Sequence, residues 1–77
     1  MPAATPTQKR TWLTRAITIG GEVYGMIRTI TTLAGLLGEE YRDEELDIIS
    51  NCEDVEARVI RILDRLEEID RQLAAED

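Results

Sequence analysis

Histidine is absent from this 77-residue chain, cysteine occurs once and phenylalanine not at all. Without histidine the commonest general base is missing, and with Cys52 as the sole thiol the usual zinc ligand sets cannot be assembled. A single cysteine also rules out an internal disulfide. Cys52 has no activating partner in the sequence and reads as a small hydrophobe destined for burial, which suits a reducing, cytoplasmic setting. Glycine-rich phosphate loops are missing too, because Gly20-Gly21 falls inside an expected element and lacks the lysine of a P-loop. The carboxylates lie on polar faces, where nothing divides a pair into acid and base. A non-enzyme with no cofactor and no metal is therefore expected.

Long uncharged apolar runs are also scarce. Residues 17–37 are long enough to span a bilayer, but they contain Glu22 and Arg28, each costing about 2.5–3.5 kcal/mol at a bilayer centre. Membrane insertion is not expected. Residues 1–8 are polar and rich in Pro and Thr, unlike a signal peptide. The net charge is −7, unevenly placed: up to Gly38, Lys9, Arg10, Arg15 and Arg28 outweigh Glu22, whereas everything after is strongly acidic. The halves attract and favour lying side by side. A concentrated basic stripe is lacking, so direct nucleic-acid binding is not expected.

What the chain does contain is helical rhythm. Ile48, Cys52, Val55, Val59, Ile62, Leu66, Ile69 and Leu73 recur at steps of four and three, the seam of a helix made to lie along others. The same rhythm runs through Trp12, Ala16, Ile19, Val23, Met26, Ile30, Leu33 and Leu37. There the adjacent positions Leu13, Gly20, Ile27 and Ala34 are also apolar or small, so the first helix has a face broad enough for two neighbours. Trp12 is expected to pack near Ile69 and Leu73, and Val23, Ile30 and Leu37 to lie in an interior. A rival pattern exists, since residues 17–24, with Gly20-Gly21 at their centre, resemble a β-hairpin followed by a C-terminal helix. Strict alternation fails after Tyr24, and the helical reading is preferred.

Thr5, Pro6 and Gln8 fit a capping box with proline at the first helical position. The expected order is a flexible tail over residues 1–5, then one domain over 6–77. That domain has a helix over about 8–37, a connection at 38–42 with Gly38 as left-handed cap, and a helix over about 43–75 begun by Asp43. Ser50 with Glu53 offers a second capping box and a potential break, although the seam runs through it. Asp54 with Arg58 and Glu67 with Arg71 have the spacing of helical ion pairs.

Opposite the broad face, Thr14, Thr18, Gly21, Gly25, Arg28, Thr32 and Gly35 form a ridge of small residues around one cation. Gly21 and Gly25 have the spacing that lets another backbone approach. With Glu39, Glu40 and Tyr41 of the connection, these are the candidate partner-binding residues. The acidic cluster at 39–47 lacks the calcium-loop pattern and reads as a solvated helix start.

The expected fold is all-α: an antiparallel helical hairpin that dimerises into a four-helix bundle. Its oligomer core would comprise Trp12, Ile19, Val23, Met26, Ile30, Leu33, Leu37, Val55, Val59, Ile62, Leu66, Ile69 and Leu73. The function expected is a non-catalytic protein–protein interaction module, an adaptor or assembly protein acting on itself and on another protein. In size, acidity and lack of catalytic groups the chain also resembles small phage-encoded inhibitors, anti-CRISPR proteins among them, although it shares no motif with them. That resemblance implies blockade of a nucleic-acid-binding protein. A third alternative is a peripheral membrane protein resting on its first helix.

Overall fold

The computed structural model describes residues 4–76, so the expected tail lies largely outside the described residues. Helix α1 spans Pro6–Ala34 and helix α2 spans Arg42–Glu76, with a single turn of 3-10 helix at Glu39–Tyr41 between them. The capping box closes the start of α1: the Thr5 hydroxyl accepts from the Gln8 amide at 3.1 Å, and the Gln8 side chain accepts from the Thr5 amide at 2.9 Å. Two of the amides that a helix start leaves unpaired are thereby satisfied.

Regular hydrogen bonding in α1 ends at Ala34, three residues short of the apolar pattern. There the chain tightens to three-residue spacing, the amides of Gly35, Leu36 and Leu37 donating to the carbonyls of Thr32, Leu33 and Ala34. Gly38 then turns the chain at φ 88 and ψ 174, a region that only glycine enters freely. Helix α2 grows straight out of the 3-10 turn. Asp43 is consequently not its N-cap, and Ser50 does not interrupt it. Residues 17–24 are helical and no strand occurs among the described residues, which sets aside the β-hairpin. The one threonine there is accommodated by donating back to the helix, Thr18 to the Thr14 carbonyl at 3.0 Å.

The hairpin measures 56 × 20 × 16 Å, two helices wide and one helix deep. With no second layer, each helix can bury only the edge that meets its neighbour. On α2 that edge includes Ile49, Cys52, Val59, Leu63, Leu66 and Leu73, and on α1 it includes Leu13, Ile17, Gly20, Ile27 and Ala34. Among the described residues only Leu13, Ala34 and Cys52 are buried. Arg10 and Asp70 pair at 3.3 Å and tie the start of α1 to the end of α2.

The edge of α1 corrects the expected packing. The helix is turned by roughly 100°, about one residue, so the flanking positions Leu13, Gly20, Ile27 and Ala34 meet α2 while the bulky seam looks outward. The reason is close approach: a Cβ on Gly20 would sit 2.5 Å from Leu63 Cδ2. Glycine and alanine let the backbones draw together, whereas Trp12, Ile19 and Met26 would hold them apart. Ile30 and Leu37, expected in an interior, are exposed in the single chain, and Val23 is half-buried.

Candidate functional site

Turning α1 creates the main surface feature of the molecule. Residues seven apart share a face, so Trp12, Ile19, Met26 and Leu33 form one outward row and Ala16, Val23, Ile30 and Leu37 another beside it. On α2 the row Ile48, Val55, Ile62 and Ile69 flanks the buried edge on the same side of the hairpin. The hollows confirm that these rows are neighbours. Trp12 and Leu13 border one of ≈ 480 Å³ with Ile69 and Leu73, and Ile30, Leu33 and Leu37 border another with Ile48. The two helices thus present one continuous apolar face running from Trp12 at one end to Leu37 at the other.

Nine large side chains on this face (Trp12, Ile19, Met26, Ile30, Leu33, Leu37, Val55, Ile62 and Ile69) are each between 36% and 62% exposed. Their exposures amount to about four and a half whole residues, on the order of 900 Å² at roughly 200 Å² each, main chain included. A soluble monomer seldom tolerates a contiguous patch beyond about 300–600 Å². Of the residues expected in an oligomer core, Val23, Val59, Leu66 and Leu73 are half-buried within the chain and the other nine are exposed.

The ridge of small residues is placed differently. Thr14, Thr18, Gly21, Gly25, Arg28, Thr32 and Gly35 are all exposed, as are Glu39, Glu40 and Tyr41. Nothing lies within 4 Å of where a Cβ on Gly21 or Gly25 would point, so the backbone there is open. Two hollows touch the ridge: one at Gly25, opening between Glu22, Met26, Thr29 and Ile30, and one at Gly35, shared with Gly38, Glu39, Arg42, Glu45 and Leu46. Arg28 is engaged within its own helix, 5.8 Å above the centroid of the Tyr24 ring with Nη1 3.5 Å from the hydroxyl. Thr32 donates to the Arg28 carbonyl at 3.1 Å. The connection, at the closed end of the hairpin, meets the ridge only at the ridge's last residue, where Gly35 and Glu39 border the same hollow.

Three exposed apolar residues lie outside the sequence expectations, the first being Leu36, 79% exposed just past the end of α1. Leu46 and Ile60 are 56% and 44% exposed on the face of α2 turned away from the apolar rows, separated by Glu53 and followed by Glu67. Their spacing of two heptads was visible, but the intervening glutamates make the row read as solvated.

Among the described residues no group of acidic or thiol side chains could hold a metal ion, and no helix is long and apolar enough to cross a membrane. The described ion pairs are Arg10–Asp70, Arg42–Glu39 at 3.5 Å and Arg65–Glu68 at 3.4 Å, the last two within one turn. The spaced pairs Asp54–Arg58 and Glu67–Arg71 are not among them. No protein-family model matches the chain, and no curated protein or solved structure matches it either.

Proposed function

We propose that this chain is a non-catalytic interaction module that acts by helix packing, with a second copy of itself as its first partner. One observation carries the reading: nine large apolar side chains, each between 36% and 62% exposed, share one face of a hairpin one helix deep, an exposed area of the same order as the 800 Å² or so that each side of a standard protein interface contributes. Covering it face to face with the same surface gives a four-helix bundle and supplies the missing second layer. Cys52 remains a reduced core residue in this reading, in keeping with a cytoplasmic protein.

The ridge from Thr14 to Gly35 and the acidic connection stay outside such a bundle, available to a different protein. The test sets one face against the other. Ile19→Lys with Ile62→Lys should abolish self-association, while Thr18→Lys with Thr32→Lys should leave the assembly mass unchanged, both read by light scattering with helicity checked by circular dichroism. Self-association that survives the first pair refutes the proposal.

A further inference from the structure

The apolar face can close on its own copy in two ways, and the charges around it choose between them. A two-fold axis along the helices lays α1 on the partner's α2, antiparallel and at the same height. An axis across the helices lays α1 on α1 and α2 on α2. This inference rests on the reading that a second copy covers the face.

Three observations favour the first arrangement. Helix α1 carries Lys9, Arg10, Arg15 and Arg28 against Glu22, while α2 carries five arginines against twelve carboxylates. Laying α1 on α2 therefore makes every adjacent pair of helices in the bundle basic against acidic. Bulk follows the same logic, because α1 brings two apolar rows to the face and α2 only one. Pairing unlike helices lets the two-row side fill the one-row side evenly.

The rim is the third observation. Gly20 lies level with Leu63, and both helices rise equally per residue. Counting from that rung puts Arg15 level with Glu68, Glu22 with Arg61 and Thr29 with Asp54, each on the outer flank of its own helix. An axis along the helices preserves these heights between copies. The only carboxylate of α1, Glu22, then lies level with the partner's Arg61, between the heights of the partner's Arg58 and the partner's Arg65, and Arg15 lies level with the partner's Glu68. The stems of Arg58 and Arg65 lie on the flank next to Ile62, where they can cover apolar side chains and keep their charges in water. An axis across the helices near mid-length would instead bring Arg58 towards the partner's Arg65. Within the chain, Glu22, Arg15, Arg58 and Arg61 make no ion pair among the described residues, while Glu68 already pairs with Arg65 of its own helix at 3.4 Å and would be shared with the partner's Arg15.

We infer that two copies associate with α1 of each against α2 of the other, matched in height by Glu22 with the partner's Arg61 and Arg15 with the partner's Glu68.

Cross-linking tests the arrangement directly. In a full-length Cys52→Ala background, a chain carrying Thr29→Cys is mixed with one carrying Asp54→Cys, and a bis-maleimide spanning roughly the 10 Å between adjacent helices is added. A 29–54 product joining different chains is expected. A mixture that sediments as a dimer but yields no such product overturns the arrangement and leaves self-pairing intact, whereas a folded monomer overturns both. Charge reversal gives a second readout that does not alter Cys52. Glu22→Arg should weaken self-association about tenfold, and mixing with Arg61→Glu should restore it. Undiminished self-association of Glu22→Arg contradicts the inference.

Discussion

Gly20 offers the sharpest test of how the two helices meet. Replacing a glycine within a helix by alanine ordinarily stabilises it by about 0.5–1 kcal/mol, because the unfolded chain has less freedom to lose. Gly21 is exposed with nothing within 4 Å of a new Cβ, so Gly21→Ala should show that gain in full. At Gly20 the same methyl group would come to 2.5 Å from Leu63 Cδ2 and 3.2 Å from its Cγ. Overpacking of that kind costs about 1–3 kcal/mol, which cancels the helical gain or reverses it. Two neighbouring, chemically identical substitutions should therefore differ by about 1–3 kcal/mol. Urea unfolding followed by circular dichroism measures the difference, at one protein concentration because association shifts apparent stability. Leu63→Ala should rescue Gly20→Ala, giving a favourable coupling in the double-mutant cycle. If Gly20→Ala stabilises as much as Gly21→Ala, Leu63 yields without cost and close approach at Gly20 is not what sets the rotation of α1.

Further substitutions probe other parts of the hairpin. Leu13→Ala removes the most buried large side chain and should cost about 2–5 kcal/mol in urea unfolding. Thr5→Ala deletes the hydroxyl that receives the Gln8 amide and should lower stability by about 1 kcal/mol in the same assay. Trp12 is 62% exposed in the single chain, so covering the face should shift its fluorescence to the blue and protect it from acrylamide as concentration rises. An emission spectrum independent of concentration, at the wavelength of a hydrated indole, would count against a covered face.

The helical hairpin was legible because both apolar patterns persist over many turns and the Thr5–Gln8 capping box marks the first start. The rotation of α1 was not. With Trp12, Leu13 and Ala16 all apolar or small, periodicity gives the width of the face but not which part meets the neighbour. That choice depends on distance: Gly20 and Ala34 permit close approach, a property that spacing alone does not rank above the bulk of Ile19 or Leu33. The end of α1 was overrun for a related reason. Leu36 and Leu37 continue an apolar pattern past Ala34, where the three-residue hydrogen bonds have already taken the last carbonyls. The small-residue ridge is exposed along its length, and the stacking of Arg28 on Tyr24 within α1 is a contact that spacing alone did not show.

A hairpin one helix deep cannot bury three apolar rows by itself, and the account rests on a second copy covering them. Sedimentation equilibrium of the unaltered chain at micromolar concentration measures this directly. The expected result is a particle of twice the 8.7 kDa chain mass, whereas a stably helical species at the chain mass itself would contradict the account.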